Sequence, residues 1–154
     1  ESREIHSSII SSPWIKTAVR IPPLLIIFQK LLKNIIPRMR LNNRLETGHL
    51  SKDERVVNEY ENDKLVHNKI SLNLFSEITN AINLVLEKSD RIKIKTLLYH
   101  GNEDKIISAE GTKHVSEKIN KSNFHLFNNV YHEPHNDLEK NEVYNKIFEF
   151  IQIK

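Results

Sequence analysis

The sequence predicts an α/β fold with a parallel sheet. Residues 94–100 and 123–127 are short apolar runs of the length of buried strands, and each precedes a segment with helical periodicity, at 108–119 and 137–151. Strands that alternate with helices form parallel sheets, because a crossover must carry the chain back to the same edge. By contrast, residues 14–90 show only helix and loop patterns, which predicts a separate helical layer.

The first element is a short strand at Ser7–Ser11, which stops before Pro13 because proline cannot donate a ladder hydrogen bond. Residues 24–36 then predict an amphipathic helix, and two prolines ahead of it suit a helix start. Residues 38–50 are expected to form a connecting loop.

Two further helices are predicted before the second strand. Ser51 is expected to cap a helix that runs to about Tyr60, since Glu54 follows three residues later as in a capping box. Residues 70–88 carry apolar side chains at helical spacing. These are Leu72, Phe75, Ile78, Ile82, Val85 and Leu86.

The second half supplies the remaining elements. The strand at 94–100 leads into a turn at 101–104, and Ser108 is expected to cap a helix that ends near Ile119. The strand at 123–127 is followed by the last helix. Four apolar side chains of that helix are expected to face the core: Val143, Ile147, Phe148 and Ile151.

Composition excludes several kinds of chemistry from these residues. The chain has no cysteine, so it has no thiolate metal site, no disulfide and no cysteine nucleophile. Its glycines are Gly48, Gly101 and Gly111, against about eleven at average usage. A P-loop, a GxGxxG fingerprint and a GxSxG elbow each need closely spaced glycines and are absent. No metal site is expected, because there is no HExxH motif or close histidine cluster.

Charge and hydropathy give little indication of a partner. The net charge is +3, and the basic residues are scattered among acidic ones, so no nucleic-acid partner is expected. Residues 21–36 are the most apolar stretch, but polar residues interrupt them and they are too short to span a bilayer. No signal peptide is visible, so we expect a soluble or peripheral protein, cytoplasmic by default. The start at Glu1 suggests a fragment.

Polar residues follow the two strands of the second half, where each strand ends. The first is followed by His100-Gly101-Asn102-Glu103-Asp104, and Tyr131-His132 lies shortly after the second. Sites in parallel sheets form at the carboxyl ends of the strands. A carboxylate there can orient an imidazole that serves as a base, as in a catalytic triad. Asp104 and His132 are therefore candidates for this pair, while His100 is expected to be structural.

Four segments, taken in order, carry a family resemblance. They are Ile9-Ile10-Ser11-Ser12-Pro13, Asp63-Lys64-Leu65-Val66-His67, Leu97 to Asp104, and Asn129-Val130-Tyr131-His132-Glu133. Together they resemble the C-terminal half of the monoacylglycerol lipase and lysophospholipase group of α/β-hydrolases. The resemblance implies the C-terminal part of an α/β-hydrolase fold, with parallel strands and a helical cap.

The resemblance implies a role for two residues. Asp104 takes the place of the triad acid and His132 that of the general base, with His135 as the rival base. Lys64 and Thr96 depart from the family, which usually has proline at the first position and often at the second.

The family nucleophile is a serine in a GxSxG elbow ahead of the Ser-Pro pair, and neither the elbow nor the oxyanion-hole donors are expected within these residues. The serines near the start are not substitutes, because no glycines flank them: Ser7, Ser8, Ser11 and Ser12. We expect the 154-residue chain alone to be inactive.

Three regions are expected: a core strand at 1–13, a helical cap at 14–90, and a C-terminal α/β core at 91–154. The apolar face of the first cap helix is expected either to dock on the core or to line an acyl-chain entrance and contact a membrane peripherally. Candidate substrate contacts in the cap and at the strand end are Trp14, Leu25, Phe28 and His67.

The function implied by the resemblance is hydrolysis of an acyl ester in a lipid-like substrate, a monoacylglycerol or lysophospholipid, without a cofactor. The alternatives are another hydrolase on this fold, such as a peptidase, epoxide hydrolase or haloalkane dehalogenase, and a non-catalytic module that binds lipid or a partner. The acyl length, head group, oligomeric state and compartment stay open.

Overall fold

The computed structural model describes residues 5–19 and 22–152. The helices and strands follow along the chain as β1 (Ser7–Ser11), α1 (Pro23–Leu32), β2 (Arg40–Asn42), α2 (Glu54–Asn62), β3 (Lys69–Ser71), α3 (Leu72–Lys88), β4 (Lys95–Gly101), α4 (Ala109–Lys118), β5 (Ser122–Phe127) and α5 (Lys140–Gln152). One-turn 3₁₀ helices lie at Thr47–His49, Ser89–Arg91 and Pro134–Asn136.

The larger sheet is parallel and has the strand order β1-β4-β5, which confirms the predicted α/β fold class. β4 lies in the middle, with Ile10 of β1 opposite Leu98 and Leu98 opposite Phe124 of β5. Because all three strands run in one direction, their carboxyl ends share one edge. The turn after β4 and the loop after β5 therefore meet there.

β4 is buried on both faces and organises the core. Leu97 and Tyr99 pack with Phe127, Val130 and other residues under α5. On the opposite face, Leu98 packs with residues of α4 and α3. The alternation of side chains along the strand thus divides the core into two layers, one on each side of the sheet.

Helix α5 differs from the prediction in which side chains it buries. Val143 and Phe150 are buried and Ile147 packs beside them, at positions i, i+4 and i+7. Phe148 and Ile151, which were expected to face the core, are each 60% exposed. Each lies one residue past the buried stripe, a rotation of about 100° around the helix axis.

The region between β1 and β4 contains two strands that the sequence did not indicate. β2 and β3 form a separate antiparallel pair, with Leu41 opposite Ile70. β2 lies in the predicted loop, and β3 occupies the start of the predicted helix at 70–88. Strands of three residues are too short to show an alternating pattern.

Helix α1 ends at Leu32, four residues earlier than predicted. The amides of Ile35 and Ile36 both donate to the Leu32 carbonyl, which closes a final turn. Pro37 follows, and a residue before proline is disfavoured in helical conformation. The apolar pattern therefore extends beyond the helix itself.

Helix α2 is capped by Asp53 rather than by Ser51. The Asp53 carboxylate accepts from the Arg55 amide at 3.1 Å. The hydroxyl of Ser51 instead donates to the Asn136 carbonyl at 3.1 Å and accepts from the Asp53 amide at 3.0 Å. The start of the helix is shifted because Ser51 is buried against the segment that precedes α5.

None of the helices in residues 5–19 and 22–152 combines the length and the apolar character needed to cross a bilayer.

Candidate active site

Asp104 and His132 come together where two loops approach closely at the carboxyl edge of the larger sheet. β4 ends at Gly101, and a Cβ there would lie 2.3 Å from the carbonyl oxygens of Val130 and Tyr131. A glycine is required at this position because any side chain would collide with the backbone. It sets the spacing between the turn that carries the acid and the loop that carries the histidine.

Backbone and amide hydrogen bonds hold the two loops in register. The amide of Glu103 donates to the Val130 carbonyl at 3.0 Å, and that of Asn102 donates to Phe127 at 2.9 Å. Asn129, which has a positive φ of 61°, donates its amide to the side chain of Asn102 at 2.7 Å. The acid turn is therefore fixed to the start of the histidine loop.

The Asp104 carboxylate contacts the His132 ring directly. Nδ1 of His132 lies 2.8 Å from Oδ2 of Asp104. The other oxygen, Oδ1, accepts from the amides of Ile106 and Ile107 at 2.8 and 2.9 Å. The Asp104 side chain is 1% exposed and that of His132 is 23% exposed, so a buried anion supports a histidine with access to solvent.

The charge of Asp104 is stabilised by its hydrogen bonds. Burial raises the pKa of this carboxyl group, because removal from water disfavours the charged form. Hydrogen bonds from His100 and His132, with one from the Ile107 amide, outweigh burial and bring the pKa well below its usual value. Asp104 is therefore ionised across the physiological pH range.

A second histidine donates to the same carboxylate oxygen. Nε2 of His100 lies 2.8 Å from Oδ2 of Asp104, and the ring is completely buried. Its other nitrogen, Nδ1, lies 2.8 Å from Oγ1 of Thr112 in α4. The sequence indicated a structural role for His100 but gave no sign that it contacts the acid.

A second buried carboxylate, Asp137, anchors the histidine loop. Its Oδ2 accepts from the Tyr131 amide at 2.6 Å, and its Oδ1 accepts from the amides of Lys52 and Leu138, each at 2.8 Å. Asp137 is fully buried. It joins the residue before His132 to the segment that leads into α2. Sequence reasoning missed this role, because a lone aspartate ahead of a helix has no distinguishing motif.

The same segment contacts the histidine loop through its own backbone. The amide of Glu133 donates to Leu50 at 2.8 Å, and that of His132 donates to His49 at 3.4 Å. Residues 49–52 thus lie against the histidine loop. Their position was not predicted, since residues 49–50 were expected to end a connecting loop and Ser51 to open a helix.

The rival base His135 lies in a different environment. Its Nδ1 is 3.5 Å from Oγ of Ser11, at the end of β1. Its carbonyl accepts from the hydroxyl of Tyr144 at 2.9 Å. The histidine that contacts Asp104 is His132, so the geometry favours His132 as the partner of the acid.

The substrate-contact candidates lie outside this hydrogen-bonded pair. The Trp14 ring packs against Phe75 of α3, with centroids 6.5 Å apart. His67 is exposed before β3, and its Nδ1 accepts from the Lys69 amide at 3.4 Å. Two more candidates belong to α1, but their side chains lie outside the part that the structure describes. These are Leu25 and Phe28.

In this parallel sheet, the segments that follow two adjacent strands carry an aspartate and a histidine in contact with each other. This arrangement is typical of α/β-hydrolases. The chain belongs to the family described as serine aminopeptidase, S33, whose model matches residues 1–139. This confirms the resemblance that the sequence motifs indicated.

Similar proteins include lipases. The chain is 32% identical over 147 residues to an uncharacterized abhydrolase domain-containing protein of Dictyostelium discoideum, covering 94% of this chain and 16% of that protein. It is 22% identical over 151 residues to the monoacylglycerol lipase of Mycolicibacterium smegmatis, covering 96% of this chain and 54% of the lipase. The chain thus spans about half the length of this lipase, and much less of the Dictyostelium protein.

Solved structures of lipases share the fold. The crystal structure of the Paleococcus ferrophilus monoacylglycerol lipase superposes with a TM-score of 0.89 at 29% identity, over 96% of this chain and 58% of that one. A soluble variant of the Saccharomyces cerevisiae monoglyceride lipase, solved with a substrate analog, gives 0.81 at 17% identity, over 97% and 53%. The latter likeness concerns the fold alone.

Proposed function

We propose that residues 1–154 provide the acid and the base of a serine hydrolase that cleaves the acyl ester of a monoacylglycerol or lysophospholipid. The observation that supports this most directly is the 2.8 Å contact between Oδ2 of Asp104 and Nδ1 of His132. Because the ionised carboxylate only accepts hydrogen bonds, Nδ1 carries the proton. Nε2 is then left with a lone pair that can take a proton from a nucleophile.

The proposed reaction follows from these roles. A serine that lies outside these residues attacks the acyl carbonyl while Nε2 of His132 removes its proton. The protonated ring is stabilised by the Asp104 carboxylate and returns the proton to the leaving alcohol. His132 then activates a water molecule, whose attack releases the fatty acid and regenerates the serine. This reaction needs no metal ion or organic cofactor.

The lipid-like substrate is supported by the relatives and by the surface of the predicted cap at 14–90. Two similar proteins bear the name monoacylglycerol lipase. On α1 and the turn after it, four apolar side chains are largely exposed: Leu24 at 76%, Ile27 at 55%, Leu31 at 67% and Ile35 at 74%. The first three share one face of the helix. Such a face can contact a membrane surface and receive the acyl chain from it.

Removal of the base tests this proposal. In a polypeptide that carries residues 1–154 together with the nucleophile serine, His132→Ala should lower the turnover of a monoacylglycerol by at least about a thousandfold. His135→Ala is the matched control and should leave turnover within a fewfold of the unmodified protein. Near-normal turnover in His132→Ala with loss in His135→Ala would assign the base to His135. The 154-residue chain alone should not react with a fluorophosphonate probe.

The family description favours a second candidate function, a serine aminopeptidase. The same acid and base would serve it, because acyl transfer from an amide uses the same proton transfers. An aminoacyl amide assayed beside the monoacylglycerol separates the two. Preferential cleavage of the amide, with a loss in His132→Ala, would support the peptidase and contradict the lipid ester.

A further inference from the structure

The buried ring of His100 is held between a carboxylate and a hydroxyl. It is 0% exposed, with Nε2 2.8 Å from Oδ2 of Asp104 and Nδ1 2.8 Å from Oγ1 of Thr112. Thr112 is also 0% exposed. A buried imidazole whose two nitrogens both have partners cannot rotate without loss of a hydrogen bond.

The partners of His100 determine where its proton lies. Nε2 faces two groups that only accept, Oδ2 of Asp104 and the carbonyl of Ile107 at 3.2 Å. Nε2 must therefore carry a proton. Thr112 can donate its hydroxyl proton, so a neutral ring accepts from it at Nδ1. The hydroxyl thus stabilises the tautomer that donates to Asp104.

We propose that His100 is a positioning residue for the Asp104–His132 pair and that Thr112 fixes its tautomer. The catalytic meaning of this role rests on the proposed function. With His100 and His132 bonded to Oδ2 and two backbone amides bonded to Oδ1, the carboxylate of Asp104 cannot turn. The orientation in which it holds the ring of His132 is thereby stabilised in part from α4, through Thr112 and His100.

The arrangement requires the two histidines to have opposite tautomers. His100 donates to Asp104 from Nε2, whereas His132 donates to the same oxygen from Nδ1. Nitrogen-15 NMR distinguishes these forms through the couplings of each ring nitrogen to the ring carbon-bound protons. The measurement needs no substrate and no nucleophile, so it is separate from the test of hydrolysis.

The first experiment records these spectra at pH 8 in the polypeptide used for the hydrolysis assay. The expected result is a neutral His100 protonated at Nε2 and a His132 protonated at Nδ1. A His100 protonated at Nδ1, or at both nitrogens, would overturn the role assigned to Thr112. If His132→Ala proved to have no effect on hydrolysis, the proposed function would fail while this result could still stand.

The second experiment uses Thr112→Val, which removes the hydroxyl and preserves the branched shape. The Nδ1 proton of His132 should then exchange with solvent at least about tenfold faster, and Thr112→Ser should restore slow exchange. Thr79→Val is the matched control, because Thr79 donates its hydroxyl to Phe75 at 2.9 Å within α3. Unchanged exchange in Thr112→Val, or an equal change in Thr79→Val, would refute the positioning role.

A further variant covers the case in which Thr112→Val does not fold. His100→Gln replaces the ring with an amide that can still donate to Asp104, whereas His100→Leu cannot donate. The Nδ1 proton of His132 should exchange more slowly in His100→Gln than in His100→Leu. Equal exchange in the two folded variants would contradict the proposal.

Discussion

The edge of the larger sheet and helix α1 differ in which kind of side chain they bury and which they expose. At the sheet edge, polar groups are buried: Asp104 is 1% exposed and Asp137 is 0% exposed, each with several donors. On α1, apolar groups are exposed, with Leu24 at 76% and Leu31 at 67%. One region has enclosed its polar atoms, and the other leaves its hydrophobic ones uncovered.

This difference shows which geometry the chain determines by itself. A buried carboxylate raises the free energy of the fold unless its hydrogen bonds are complete, so the site region must supply every donor from its own backbone and side chains. An apolar helix face lowers the free energy only when a membrane or protein surface covers it. Mutations at the sheet edge should therefore change stability and turnover, whereas mutations on α1 should change binding to a membrane.

The largest effect is expected from Asp104→Asn, which breaks the site network. Whichever way the amide is turned, its NH₂ group faces donors, either the two histidines or the amides of Ile106 and Ile107. The free energy of unfolding should fall by about 3 kcal/mol, because two buried donors are left facing the NH₂ group and each unpaired donor costs about 1–3 kcal/mol. Turnover should fall by about ten-thousandfold, because the wrong tautomer of His132 is favoured. Urea unfolding and hydrolysis assays measure the two effects.

The same variant should alter the pH dependence of stability. The folded-state pKa of Asp104 is lowered from its usual 3.8, so its stabilisation is complete above that value and is lost as the pH falls through the folded-state pKa. The unmodified protein should therefore lose more stability than Asp104→Asn below about pH 4. Asp90→Asn, at an exposed position, serves as the control and should keep the acid loss. An identical acid dependence in all three proteins would show that the Asp104 carboxylate does not accept the hydrogen bonds from His100 and His132.

An intermediate effect is expected from Asp137→Asn, because the amide cannot accept all three backbone hydrogen bonds. With one oxygen in place of two, either the Tyr131 amide or the amides of Lys52 and Leu138 face an NH₂ group, and a buried donor left unpaired costs about 1–3 kcal/mol. Hydrogen exchange should become faster at the Tyr131 amide, because the orientation that keeps the hydrogen bonds of Lys52 and Leu138 leaves Tyr131 without its acceptor. Asp63→Asn is the control, since the exposed side chain of Asp63 accepts from the Leu65 amide at 2.8 Å. An equal change in the exchange rate of the Tyr131 amide in both variants would contradict the anchoring role of Asp137.

The parts of the molecule that could be predicted from the sequence are those that carry a local apolar pattern or a motif. β1 has the predicted bounds, Ser7–Ser11, and β4 and β5 agree within one residue, because their apolar runs end at polar turns. Asp104 and His132 were named from strand order and resemblance. Their contact follows from a parallel sheet, which brings the ends of adjacent strands together.

The rest depends on contacts between residues far apart along the chain. The bond from Asp137 to Lys52 and the collision that forbids a side chain at Gly101 depend on backbone positions that no local pattern encodes. Phe148 is exposed although Val143 and Phe150 of α5 are buried, since periodicity gives the spacing of an apolar stripe but not its direction. Asp53 rather than Ser51 caps α2, because the hydroxyl of Ser51 donates to Asn136, which is distant along the chain.

The smallest effect on stability is expected where the apolar side chains are already exposed. Serine at Leu24, Ile27 and Leu31 together should change the free energy of unfolding by less than about 1 kcal/mol, because little apolar area leaves the core. Binding to phosphatidylcholine vesicles that contain a monoacylglycerol should fall at least about tenfold, since each side chain buried in lipid contributes on the order of 1 kcal/mol or more. Vesicle flotation and urea unfolding measure the two quantities. Leu74→Ser, on α3 and 51% exposed, is the control that should keep vesicle binding. If the triple variant instead lost stability and kept vesicle binding, protein rather than lipid would cover this face.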